Sequence, residues 1–112
     1  MSVKMDFEEY QEICKETAFY SGEWQVMYPA LGLAGEVGEV CNKIKKVYRD
    51  DDGHMTDEQR EGIAKELGDC LWYFAQLATD LGVSLDVIAR GNIAKLSSRR
   101  ERGVLGGSGD NR

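Results

Sequence analysis

Apolar residues recur along this chain at intervals of three and four, the period of an amphipathic helix, and no stretch alternates for long enough to make a strand. Leu33, Val37, Val40, Ile44 and Val47 form one such stripe. The punctuation between stripes predicts four helices. The first runs near residues 6–20, with Asp6 as N-cap and Gly22 just past its end. The second covers about 28–49, with Pro29 in its first turn. Residues 50–55 read as a loop. The third helix starts at Thr56, which forms a capping-box pattern with Gln59, and stops near Leu81 before Gly82. Ser84 caps the fourth, which runs to about 102. The expected fold is all-α, a four-helix bundle-like domain over residues 1–102. A tail over 103–112 holds four glycines and reads as a flexible end.

The second and third helices repeat one pattern at a spacing of 30 residues. Glu36-Val37-Gly38-Glu39 answers to Glu66-Leu67-Gly68-Asp69, and the apolar match continues through Ile44 with Phe74 and Val47 with Leu77. Each acidic pair lies on the edge of its apolar stripe, because residues three apart are neighbours on a helix. Antiparallel packing of the two helices therefore brings four carboxylates together at the rim of the core. Like charges that close repel unless they are protonated or neutralised. A hard divalent cation with oxygen ligands, Mg²⁺ with Mn²⁺ as its substitute, meets that need. One acidic pair alone would read as solvated helix charge; two pairs in the same register favour metal.

Other chemistries fail on the residues. A di-iron bundle calls for Glu-x-x-His pairs, and His54, the one histidine, falls in the loop. An EF-hand loop beginning at Asp50 would place Met55 where the sharp-turn glycine belongs. The glycine-rich tail lacks the lysine ending of a P-loop.

Composition narrows the class further. The chain has 112 residues, 42% hydrophobic and 30% charged, which suits one small packed domain. Cys14, Cys41 and Cys70 are odd in number and far apart, so they read as reduced thiols packed in helices. No signal-peptide core and no membrane-length apolar run is present, so the expected address is the cytoplasm. The net charge of −6 divides into −10 over residues 1–89 and +4 over residues 90–112. So acidic a body argues against nucleic-acid binding.

In the fourth helix, Leu85, Ile88, Ala89 and Leu96 make an apolar stripe with Asn92 in its middle. Asn92, Lys95 and Arg99 follow one another on one side, and read either as a satisfied core amide with solvated charges or as donors to phosphate or base. Gly32, Gly35 and Gly38 each weaken a helix by roughly 1 kcal/mol relative to alanine. They point either to a subunit interface or to close packing within the chain.

These motifs resemble the MazG-like branch of the all-α nucleoside triphosphate pyrophosphohydrolases: an ExxE pair, 26 residues, an ExxD pair, then Leu71-Trp72-Tyr73 and Asn92-Ile93-Ala94-Lys95-Leu96. The similarity covers roughly residues 28–102. It implies hydrolysis of a nucleoside triphosphate to the monophosphate and pyrophosphate, in nucleotide-pool cleansing or deoxynucleotide recycling. Glu36, Glu39, Glu66 and Asp69 would hold Mg²⁺, and Glu39 would take the proton of the attacking water. Lys95 would bind phosphate, Asn92 the sugar or a phosphate, and Tyr73 and Trp24 the nucleoside. Lys43 and Lys46 are further phosphate candidates. The resemblance also implies a homodimer or homotetramer with no nucleic-acid or membrane partner. Alternatives are a more selective dUTP, dCTP or phosphoribosyl-ATP pyrophosphatase, or a non-catalytic helical partner protein.

Overall fold

The computed structural model describes residues 4–112. Four helices carry the fold: α1 Phe7–Cys14, α2 Met27–Asp51, α3 Asp57–Asp80 and α4 Leu85–Glu101. Among the described residues there is no strand, so the all-α expectation holds.

The capping residues act as the sequence indicates. Asp6 accepts the Glu9 N–H at 2.8 Å. Thr56 and Gln59 close a reciprocal capping box, with bonds of 3.1 and 2.8 Å. Ser84 accepts the Val87 N–H at 3.3 Å. Pro29 sits in the first turn of α2, where a missing N–H costs nothing.

The first helix is shorter than the apolar pattern predicts. It ends at Cys14 and tightens into a 3₁₀ turn over Lys15–Thr17. The Thr17 hydroxyl donates back to the Cys14 carbonyl and accepts the Trp72 indole N–H at 2.7 Å. That long-range bond holds the turn, and the chain then runs extended through Ala18.

The residues before α2 hold the least relaxed backbone. A 3₁₀ turn spans Gly22–Trp24, and Val26 follows at φ +67°, ψ −54°. The Met27 N–H donates to the Gln25 carbonyl at 2.7 Å, which makes a γ-turn centred on a β-branched residue. Asp80 pins this corner, accepting the Val26 N–H and the Tyr20 hydroxyl at 2.9 Å each.

Packing is concentrated between α2 and α3, a hairpin closed by the loop over residues 52–56. A second small core joins Cys14, Ala75 and Leu85, with Tyr10 and Trp72 against it. Gln11 stitches α1 to the α3–α4 turn: its amide N donates to Thr79 and to the Val83 carbonyl, and its amide O accepts the Leu85 N–H at 2.7 Å. The Tyr10 phenol sits in this core, and burial with the neighbouring Cys14 pushes its pKa up to about 12.

Beyond its first turn α4 leaves the body. Leu85 is buried, yet Ile88 is 46% exposed, Ile93 64%, and Asn92 is exposed. The apolar stripe read around Asn92 is thus no core face within one chain. Its main contacts are with α1 and α3. The Cα radius of gyration is 17.2 Å, against about 13 Å for a compact chain of this length. Cys14 and Cys70 are buried as expected, but Cys41 is exposed, one position past the partly buried Val40 on α2.

The tail curls back on α4. Gly103 adopts φ +71°, and the Val104 N–H closes the helix end on the Arg99 carbonyl at 2.9 Å. The buried Arg99 donates to the Asp110 carbonyl, and Arg112 donates to the Val104 carbonyl.

Gly32 is explained within the chain. A Cβ there would overlap the Tyr73 ring, whereas Gly35 and Gly38 face open space. Gly32→Ala should therefore lower stability by about 1–3 kcal/mol. In a Tyr73→Ala background the same change should stabilise by up to about 1 kcal/mol through helix propensity. Urea unfolding of the four proteins of this cycle checks the sign reversal.

Candidate metal centre

The centre lies where α2 and α3 cross. Glu36 on α2 and Glu66 and Asp69 on α3 each offer a carboxylate oxygen within 4.8 Å of the others. Helical periodicity puts Glu66 and Asp69 on one face of α3, and the short hairpin loop sets the register that brings Glu36 opposite them. Glu39, one turn beyond Glu36, is exposed and lies outside this cluster.

The electrostatics follow from the crowding. Glu36 is held above the usual carboxylate range, first by its hydrogen bond with Glu66, then by burial and by the charges of Asp69, Glu66 and Glu39. Glu66 is held below that range by the same bond and by Lys43, whose ammonium lies 3.2 Å away. Burial and then the charge of Glu36 push the Cys70 thiol up. The donor set is three hard oxygens from two rigid helices, with no soft ligand among them, and it fits a cation of the Mg²⁺ class.

The other site residues divide into two groups. Tyr73 borders the centre: it packs on Gly32, lies tilted against Tyr28 at 6.4 Å, and its hydroxyl is pushed up by burial, Tyr28 and Glu36. Lys43 also borders it, but is paired with Glu66 instead of standing free for phosphate. Lys46 lies further on, in a cleft of about 300 Å³ with Lys43, Glu58, Gln59 and Ile63. Trp24 is half exposed beside Met27, in the turn before α2. Asn92 and Lys95 are exposed on α4, and the fold of one chain does not pack them against α2.

Sequence reasoning missed two residues near the centre. Gln76 and Asp80 continue the α3 face of Glu66, Asp69 and Tyr73, at the same intervals of three and four. Gln76 donates to the Tyr20 hydroxyl oxygen at 3.2 Å. That spacing was the available signal for both.

An all-helical hairpin that joins carboxylates from two copies of one acidic motif, with an aromatic ring at its edge, defines a helical protein with an acidic cluster able to hold a cation. The family of the MazG nucleotide pyrophosphohydrolase domain matches residues 29–104, well over half the chain, and this chain belongs to that family. It is also 47% identical over 109 residues to "Gene 37 protein" of Mycobacterium phage L5, an alignment covering 92% of this chain and 96% of that protein. No solved structure matches the chain significantly.

Glu36→Gln should raise the thermal stability of the metal-free protein at neutral pH. The folded-state pKa of Glu36 lies above its unfolded value, near 4.3 for a glutamate. Its unfavourable contribution is therefore absent below the unfolded value and complete above the folded one. The melting-temperature difference between variant and wild type, followed in EDTA from acid to neutral pH, should start near zero and become positive as pH rises. A difference that is flat or negative at neutral pH contradicts the crowding.

Proposed function

We propose that this protein hydrolyses a nucleoside triphosphate to the monophosphate and pyrophosphate. The observation that carries the reading is the convergence of Glu36, Glu66 and Asp69, drawn from both copies of the acidic motif, within 4.8 Å. These residues and Glu39 would hold Mg²⁺, or Mn²⁺ in its place. The bound cation would neutralise phosphate charge and lower the pKa of a coordinated water.

The chain's own residues supply the rest. Lys43 sits at the centre and exchanges its partner, Glu66, for a phosphate oxygen when the triphosphate arrives. Lys46 extends that cationic edge along α2. Tyr73 packs against the sugar or base on the other side of the centre, and Trp24 stacks on the base. Glu39, outside the three-carboxylate cluster and so the acid least engaged by the metal, takes the proton as the water oxygen bonds to phosphorus. The phosphoanhydride P–O bond between the α and β positions breaks, and pyrophosphate departs with the electron pair.

One chain leaves this arrangement unfinished, which supports a homodimer or homotetramer. Val37 and Leu67 are repeat mates, 45% and 54% exposed beside the centre, and Gly35, Gly38 and Gly68 leave open space around them. A second copy seated there would cover this apolar face and could supply Asn92 and Lys95 from its α4. No helix of the described residues is long and apolar enough to cross a membrane, and the proposed place of action is the nucleotide pool of the cytoplasm.

The test is release of pyrophosphate from a panel of nucleoside triphosphates with Mg²⁺. Glu36→Gln, Glu66→Gln and Asp69→Asn should each lose most activity and keep their helix content; near-normal turnover in all three overturns the metal-site reading. Light scattering should give a dimer or larger, and Gly35→Leu should lower that mass. An active wild-type monomer at micromolar concentration overturns the assembly.

A further inference from the structure

Gln76 carries a feature that the metal centre does not explain. Its side chain is 3% exposed, and its amide oxygen, Oε1, is buried with no hydrogen-bond partner among the described residues. A buried polar group left unpaired is costly, so such an atom in a native fold asks for a partner.

The neighbouring network fixes which end of the amide is left over. Asp80 can only accept, and it takes the Tyr20 O–H and the Val26 N–H. The Tyr20 hydroxyl has therefore given its one proton to Asp80. Its oxygen accepts from the Gln76 amide nitrogen at 3.2 Å. The hydrogen bonds of this series run from Gln76 through Tyr20 to Asp80, and they leave one acceptor without a donor, Gln76 Oε1. Only a donor can complete it.

The place of that acceptor is also defined. Gln76 lies one turn beyond Tyr73 on the α3 face that carries Glu66 and Asp69. Gln76 lies seven positions after Asp69, about 10 Å along the helix at 1.5 Å per residue. That is of the order of the distance from a nucleotide's phosphates to the far edge of its base. Tyr28 and Tyr73 line the way, and Tyr20 stacks on Tyr28 with ring centroids 4.6 Å apart.

We propose that Gln76 reads the nucleobase, its Oε1 accepting an N–H of an exocyclic amine. The inference rests on the nucleotide-hydrolase reading above and adds to it the class of base. An amino group such as that of cytosine presents a hydrogen to Gln76 Oε1, the buried acceptor left without a donor. A uracil or thymine base in the same place sets a carbonyl lone pair against that oxygen. Its single ring N–H lies between two carbonyls, so turning that N–H toward Gln76 still brings a carbonyl close to Oε1. Oε1 is buried, so a base would reach it through a local shift, and the segment over residues 21–26, with its γ-turn at Val26 and its anchor on the same Asp80, is the part of the network that would give.

The test uses the matched pair of cytosine and uracil nucleotides, which differ at this edge in an amino group against a keto group. The full-length wild type and Gln76→Met, which keeps the bulk and removes the acceptor, are compared in two ways. One is kcat/KM for dCTP and dUTP with Mg²⁺. The other is calorimetric binding of dCMP and dUMP in EDTA, which needs neither metal nor turnover. The wild type should favour cytosine by roughly ten- to a hundredfold, the size of one buried hydrogen bond. Gln76→Met should bring the two bases close to parity by weakening the cytosine nucleotide while uracil stays near its wild-type value. Loss of both nucleotides in equal proportion marks a merely structural role for Gln76 and overturns the proposal. So does a wild type that handles the two bases alike, a result independent of whether the variant folds. A wild type that hydrolyses no triphosphate yet prefers dCMP in EDTA sinks the hydrolase reading and leaves the base contact standing. One that hydrolyses both triphosphates equally does the reverse, and one that binds neither nucleotide overturns both.

Discussion

The register of α2 against α3 is the constraint on which everything else hangs. The two helices are long, joined by a short loop and packed antiparallel, so each step toward the N-terminus of α2 meets a step toward the C-terminus of α3. Glu36 meets Glu66 and Asp69, and Gly32 meets Tyr73. At the other end Lys43 meets Gly62, with its ammonium 3.8 Å from where a Cβ would stand. The 30-residue repeat makes these contacts near-equivalent, since Gly32 corresponds to Gly62 and Lys43 to Tyr73. A slip of one residue would rotate an acidic pair by about 100° and scatter the carboxylates.

The repeat gives symmetry to the scaffold, and the departures from it give the centre a direction. On α2 the positions one and two turns past Glu39 are Lys43 and Lys46. Their mates on α3 are Tyr73 and Gln76. One end of the hairpin is thus cationic and the other aromatic and polar, with the carboxylates between. A ligand that is polyanionic at one end and planar at the other fits this axis in one orientation only. The same asymmetry divides the acids: Lys43 draws Glu66 and lowers its pKa, while Glu36, lacking a cation of its own, is the group raised. The centre is therefore a site of stored repulsion, as sites built for charged ligands commonly are.

Much of this was legible in the sequence because it is local. Caps at Asp6, Thr56 and Ser84 are satisfied within three residues of themselves, and the acidic pairs are fixed by helical spacing. What escaped depends on contacts far along the chain. The early end of α1 rests on Trp72 reaching Thr17, 55 residues away. The Gln76 network joins residues more than 50 positions apart. Apolar spacing around Asn92 marked a face without saying what covers it, and among the described residues it is covered at Leu85 but left largely exposed at Ile88 and Ile93. The same ambiguity hid the exposure of Cys41, whose spacing alone suits a core position.

That uncovered face bears on how the whole molecule works. The buried apolar set of one chain is small, Val47, Ile63, Cys70 and Ala78 on the α2–α3 hairpin with the Cys14, Ala75 and Leu85 cluster beside it, and the open arrangement of α4 leaves large apolar side chains in solvent. Isolated, a chain this open would gain little from the hydrophobic effect to set against the entropy of ordering its helices. The charge distribution supports the same remedy. Residues 1–89 carry −10 and residues 90–112 carry +4, so in the proposed assembly the basic end of α4 of one copy would complement the acidic hairpin of another. In the proposed assembly, one docking event would bury the apolar faces, offset the repulsion among the carboxylates and bring Lys95 toward the anionic end of the ligand. Folding, assembly and ligand binding would then draw on the same contacts, which accounts for a helix whose polar residues Asn92 and Lys95 stand exposed in the single chain.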